Sequence, residues 1–131
     1  MTAITYQISP QLSDEALNDL FASAWPEHRF RPFSRVHQHS LAYIAAFDGD
    51  KLTGYVNLAW DGGIHAFILD TTVRDTHQRL GIGRELVTRA AVVAKQNGIE
   101  WLHVDYEPHL EPFYQSCGFI PTKAGLINLS S

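Results

Sequence analysis

Cysteine is nearly absent. Cys117 is the single one in 131 residues, which excludes an internal disulfide framework and agrees with a reducing compartment. No apolar run approaches the roughly 20 residues that cross a bilayer, and no basic stretch leading into an apolar one opens the chain. The expectation is a cytoplasmic protein that spans no membrane. Positive charge is also scarce: 10 Lys and Arg stand against 14 Asp and Glu, a formal charge of −4. With no long basic stripe to neutralise phosphates, nucleic acid is not expected as a main partner. Internal repeats, low-complexity segments and linkers are lacking too. What is present, 45% hydrophobic and 18% charged residues, is an ordinary globular composition. The length fits one domain over 1–131 with a substantial core.

The apolar pattern divides the chain into short elements. Ile4–Ser9 can form a first strand. Ser13, Asp14 and Glu15 ahead of Leu17, Leu20, Phe21 and Trp25 read as a capped amphipathic helix. From Pro26 to Ser40 the chain is polar and aromatic, and Pro26 and Pro32 break any long helix, so a loop with one short helix is expected. Three apolar runs follow, Leu41–Phe47, Leu52–Trp60 and Ile64–Val73. Turns at Asp48-Gly49-Asp50 and Asp61-Gly62-Gly63 join them into an antiparallel meander. Ile82, Leu86, Ala90, Val93 and Ala94 repeat at helical spacing until Asn97-Gly98. Ile99–Glu107 reads as a strand with Leu102, Val104 and Tyr106 on one face and Trp101, His103 and Asp105 on the other. A strand-helix-strand unit of this kind makes its two strands parallel. A short helix over Leu110–Cys117 and one or two strands over Phe119–Leu129 complete the order. The exposed edge so formed near the C-terminus would allow a homodimer.

The most specific stretch is Gln78-Arg79-Leu80-Gly81-Ile82-Gly83, between a strand pattern and a helix pattern. A turn that opens a helix aims unpaired N–H groups outward at the positive end of the helix dipole, and glycines admit a phosphate close to that backbone. A P-loop would need Gly-Lys followed by Ser or Thr, which Gly83-Arg84-Glu85 does not supply. A dinucleotide fingerprint would want a third glycine where Leu86 stands and an acidic residue roughly 20 positions on, for which Asp105 is a poor stand-in. What remains is Gln-x-x-Gly-x-Gly. It resembles the coenzyme A loop, (Arg or Gln)-x-x-Gly-x-(Gly or Ala), of the GNAT superfamily of acyl-CoA-dependent N-acyltransferases. Downstream, Phe113-Tyr114-Gln115-Ser116-Cys117-Gly118-Phe119 resembles the same family's Phe-Tyr-x-x-x-Gly-Phe. A tight turn with glycines for geometry and arginines for solubility is the alternative, and the second signature weighs against it.

The resemblance implies an α/β (α+β) fold of GNAT type across essentially the whole chain: a mixed, mostly antiparallel sheet with splayed central parallel strands and helices on both faces. It also implies acetyl-CoA as acyl donor and a primary amine of a small molecule or amino acid derivative as acceptor. In such a fold backbone groups around Thr71, Thr72 and Val73 would bond the pantetheine amides. The loop from Gln78 through Arg79, Leu80, Gly81, Ile82 and Gly83 to Arg84 would hold the pyrophosphate, with the two arginines adding charge-assisted bonds. Tyr114 is the expected general acid for the departing thiolate.

For the proton of the attacking amine, Glu107 ranks first, then Asp105 and Asp70, with His65 after them and His103 on the same walls. The position where some family members carry a catalytic glutamate aligns with Phe67, so that base does not carry over. Carboxylates at strand ends are also commonly just solvated. Arg29, Phe30 and Phe33 in the segment Trp25–His39, together with His65 and His109, are candidates for contact with the acceptor. The histidines His37 and His39 on an irregular segment do not make a metal site, and no metal is assigned. Cys117 could carry an acyl group, but no activating base is evident near it, and direct transfer in a ternary complex is expected. Two other readings stay open: a protein or peptide N-acetyltransferase, and a non-catalytic acyl-CoA-binding regulatory module.

Overall fold

A computed structural model describes residues 3–130. Five strands, β1 (Ile4–Ile8), β2 (Ser40–Asp48), β3 (Lys51–Trp60), β4 (His65–Val73) and β5 (Trp101–His103), form one sheet in that order. The first four pair antiparallel, and β5 lies parallel to β4. The helices are α1 (Asp14–Ala24), α2 (Ser34–Gln38), α3 (Ile82–Gln96) and α4 (Glu111–Ser116), with 3₁₀ turns at Asp75–His77 and Pro108–Leu110. The fold class and the parallel strand-helix-strand unit are those expected from the sequence.

Each helix follows from a local reason. Ser13 caps α1, its hydroxyl accepting from the Ala16 N–H, and Asp14 and Glu15 complement the dipole. Leu17, Leu20 and Phe21 on its inner stripe pack with Phe33, Ala45, Leu52 and Tyr55 on one face of the sheet. The opposite face carries α3, whose Ile82, Leu86, Val87, Ala90 and Val93 meet Ile44, Val56, Leu58 and Ile68. Covered on both sides, β3 is buried from Leu52 to Leu58, which is why its sequence reads as an almost unbroken apolar run. Arg74 ties the two layers together. Its Nε donates to the Leu52 carbonyl and its guanidinium pairs with Asp19 of α1 at 3.0 Å.

Two expected strands differ. The one over Ile99–Glu107 shrinks to Trp101–His103, because β4 turns away at a bulge and leaves the following residues without a partner. Phe119–Leu129 forms no strand. A three-residue edge offers little to pair with, and Pro121 has no N–H to give. β5 is therefore the edge of the sheet in this chain. Ile120, Leu126, Ile127 and Leu129 are left between 82% and 90% exposed.

α3 packs tightly on the sheet at Gly54, where an added Cβ would lie 2.9 Å from Leu86 Cδ1 and 3.0 Å from Ile82 Cγ2. Gly54→Val is expected to cost about 1–3 kcal/mol through overpacking, measured by urea denaturation. An unchanged midpoint would mean that Leu86 swings clear. On the other face, burial lowers the pKa of His37 below its ordinary 6.5, with Asp14 opposing. The folded state then binds this proton less readily than the unfolded chain. The stability involved is complete above pH 6.5 and is lost as pH falls through the folded value. His37→Gln should flatten that acid-side fall in melting temperature.

Candidate active site

The site begins with a fault in β4. Tyr55 and Asn57 of β3 pair with Thr72 and Leu69, so that Asp70 and Thr71 stand opposite the single residue Val56. Asp70 takes φ +58° to make this bulge, and a bulge bends its strand. On the other side, β4 and β5 stay in register only through Phe67 and His103. Beyond that pair β4 continues to Val73 while β5 has ended, so the β5-facing edge of Ile68–Val73 has no strand beside it. Unpaired edge backbone of this kind accepts an extended ligand as an added strand.

At the far end of that edge lies the glycine loop. Arg79 and Gly81 have φ of +64° and +83°, and alternation with left-handed residues turns successive N–H groups toward one concavity. Gly81 caps α3 without a side-chain bond, and the first helical bond runs from Glu85 N to Gly81 O. The N–H groups of Ile82, Gly83 and Arg84 are therefore free for an anion. Arg79 and Arg84 are exposed and make no ion pair among the described residues. Gln78 has a different place: its Nε2 donates to the Val73 carbonyl at 3.2 Å and closes the loop onto β4. A Cβ at Gly83 would lie 3.5 Å from Phe113 and 3.6 Å from Val73. The two sequence signatures and the end of β4 thus meet at one point.

Tyr114, buried on α4, stacks on Tyr106 at 4.9 Å and packs edge-on to Phe113 and Phe119. Burial raises its pKa above the ordinary 10, a loose side-chain hydrogen bond with Thr71 offsets part of the rise, and Cys117 and Asp105 add to it. The phenol therefore keeps its proton at neutral pH. Thr71 Oγ1 itself is buried, and the phenol beside it is too poorly aligned to satisfy it with a full hydrogen bond. A native hydroxyl in that condition beside an open strand edge is what a ligand amide or carbonyl would satisfy. Burial also pushes up the Cys117 thiol, with Ser116 and Arg84 opposing, so this sulfur is a poor nucleophile.

The segment between α1 and β2 is pinned. Buried Asn18 donates to the Asp14 and Arg31 carbonyls, and its Oδ1 accepts from the Arg31 N–H and meets His28 Nε2. Asp14 accepts from the Phe33 N–H. The Trp25 indole N–H reaches Thr72 Oγ1 at 3.2 Å, and Arg31 pairs with Asp70 at 3.4 Å while lying over Phe21 and Phe33. Apart from the local bond of Asn18 to Asp14, these ties are not visible in sequence spacing; Arg31 and Asp70 are 39 residues apart.

The other expected residues scatter. Phe33, only 1% exposed, is core beneath the segment. Phe30 is exposed, as is Arg29. Glu107 and His109 are exposed neighbours 3.6 Å apart on the turn before α4. Asp70 is engaged by Arg31, and Asp105 is exposed. His65 and His103 sit together at the junction, Nδ1 to Nε2 at 2.8 Å. An open groove of about 840 Å³ borders β5, with Phe67, His103, Asp105, Tyr106 and Cys117 in its walls. Among the described residues no group of three or more His, Cys, Asp or Glu could hold a metal, and no helix is long and apolar enough to cross a membrane.

Residues 11–119 match the model of the Acetyltransferase (GNAT) family. Serotonin N-acetyltransferase 2, chloroplastic, of Oryza sativa subsp. japonica is 28% identical over 109 residues, 79% of this chain and 54% of its own. The chain spans about half the length of the curated relatives it matches. An acetyltransferase of the GNAT family from Streptococcus pneumoniae TIGR4 superposes with a TM-score of 0.76 at 26% identity, covering 98% of this chain and 100% of that one. An aminoglycoside N-acetyltransferase in complex with CoA shares the fold, with a TM-score of 0.77 at 14% identity over 98% and 95% of the two chains.

Thr71 gives this geometry a test. Thr71→Val removes the orphaned hydroxyl at nearly constant shape, so the free protein should be as stable as wild type or gain up to about 1–3 kcal/mol in urea denaturation. Marked destabilisation would show that the hydroxyl already has a partner.

Proposed function

The chain belongs to the GNAT acetyltransferase family, and from that premise we propose that it moves the acetyl group of acetyl-CoA to a primary amine of a small molecule or amino acid derivative, by direct transfer with both substrates bound. One observation carries the reading. The free N–H groups of Ile82, Gly83 and Arg84 open α3 beside Val73, Val73 ends the unpaired edge of β4, and that edge carries Thr71, the neighbour of Tyr114.

The residues fit that donor. The loop and the free guanidinium groups of Arg79 and Arg84 suit a pyrophosphate, the β4 edge suits the amides of a pantetheine arm, and Thr71 Oγ1 awaits a polar partner. When bound, acetyl-CoA supplies an activated acyl group on a thiol leaving group. Tyr114 holds its proton in a buried setting and gives it to the departing sulfur. Cys117 stays a thiol, which supports direct transfer over a covalent relay. For the acceptor, Phe67 and Leu69 on β4 and Trp101 on β5 leave part of the sheet uncovered, and Trp25 and Phe30 are exposed on the pinned segment. This favours an amine with an apolar body, Arg29 being available for a carboxylate. The described residues would act as one transferase domain of the cytoplasm, Cys117 being a free thiol.

A homodimer belongs to the same proposal. Each copy has an open β5 edge and an apolar tail, Ile120 to Leu129, whose large apolar side chains stay exposed among the described residues. Two copies related by a twofold axis can supply each other's missing strand. Light scattering should report a dimer that Ile127→Asp with Leu129→Asp converts to monomer; a monomeric wild type at all concentrations would remove the idea.

Tyr114→Phe keeps the ring packing and loses the acid. Its kcat should fall by about 10²–10⁴-fold with acetyl-CoA affinity unchanged, followed by thiol release across an amine panel. Parallel double-reciprocal lines would refute direct transfer. Binding of acetyl-CoA without turnover on any amine would favour the regulatory module.

A further inference from the structure

We propose that His103, backed by His65, takes the proton from the incoming amine, in the place left without a carboxylate by Phe67. The proposal rests on the acyltransferase reading and adds to it a proton path that the family signatures do not contain.

The two rings come from adjacent parallel strands, and their bond of 2.8 Å joins His65 Nδ1 to His103 Nε2. His103 stands opposite Phe67, the last pair before β4 and β5 part, and its ring stacks on that phenylalanine at 4.8 Å and 23°. Stacking and hydrogen bond together hold the imidazole at the vertex of the open strand edge. Phe67 offers no proton acceptor there, and Glu107 and Asp70 are turned to His109 and Arg31. An extended donor with its phosphates at Gly81–Arg84 that follows β4 inward from Val73 is directed toward this vertex.

Two neutral imidazoles that share one hydrogen bond keep one N–H and one lone pair for other partners. The surroundings decide which ring keeps the lone pair. Asp61, on the turn before β4, accepts from the backbone N–H groups of Gly63 and His65, which sets a carboxylate beside His65. That selects the arrangement in which His103 Nε2–H donates to His65 Nδ1 and His103 Nδ1 is the free base.

The step then balances. An ammonium gives one proton to His103 Nδ1, the Nε2 proton passes to His65, and His65 releases its own Nε2 proton to water beside Asp61; exchange of the ring protons with solvent, with no net gain or loss, then restores the starting tautomers. The freed nitrogen lone pair forms the N–C bond as the C–S bond breaks. The sulfur leaves with the Tyr114 proton, and the second nitrogen proton restores the phenol through solvent. One ammonium and one thioester become one amide, one thiol and one released proton. His103 is the catalytic residue of this path and His65 its positioning and relay residue.

The test is the pH dependence of kcat/KM for the amine in wild type, His103→Gln, His103→Ala and His65→Gln, with acetyl-CoA thermal shifts to confirm folding and donor binding. The titratable groups near the pair include Asp61 on the turn and Asp105, two residues past the end of β5. Asp61→Asn serves as a further control. Wild type should lose rate on the acid side as the pair charges. His103→Gln should lose about 10²-fold or more in kcat and the acid limb with it, at unchanged KM for acetyl-CoA. Added imidazole should restore part of the rate to His103→Ala. His65→Gln should shift the limb without touching donor binding. Wild-type turnover with His103→Gln within threefold of it, or with the same acid limb, would overturn the proposal and leave the acyltransferase reading intact. Absence of turnover in wild type on every amine would overturn both.

Discussion

The break in pairing between β4 and β5 is the constraint on which the rest depends. A parallel pair in register to its end would satisfy its backbone groups internally and leave no slot. Here the bulge at Asp70–Thr71 bends one strand while the other stops at His103, and six residues of edge are freed. The cost is paired backbone, and it is bearable because β4 keeps its other edge on β3 and its inner face on α3. The same bend brings Thr71 toward Tyr114 and turns Asp70 outward to Arg31. Fold and candidate site are two consequences of one local geometry.

The legible parts of the sequence were those governed by local rules. Ser13 with its acidic first turn foretold the start of α1, the Gly-containing turns foretold the meander, and helical spacing foretold α3. The glycine loop was readable because left-handed backbone and close approach demand glycine at fixed positions. Long-range pairing was not readable. That Phe33 would be core, that Gln78 would close a loop and that Asn18 would collect four hydrogen bonds all depend on which elements become neighbours. The C-terminal strands failed for a related reason: periodicity shows that a segment could be a strand, not that an edge awaits it within the same chain.

The electrostatics are arranged by separation. Positive groups gather at the loop, where Arg79, Arg84 and the α3 N-terminus face solvent, while the buried phenol of Tyr114 and the half-buried thiol of Cys117 are held in their neutral forms. The histidine pair lies where the strands part, in contact with water. Charge can be accepted at the outer ends of the site while the interior between them stays uncharged, which spares the desolvation cost that a buried ion would carry.

Asn18 has a consequence for association kinetics. Because one buried amide fastens the chain from His28 to Arg31 onto α1, the conformational entropy of that segment is already spent when the protein folds. An incoming ligand meets a surface that does not have to be ordered first. Encounter should then be governed by diffusion and shape rather than by loop closure, and selectivity among ligands should appear chiefly in how fast they leave.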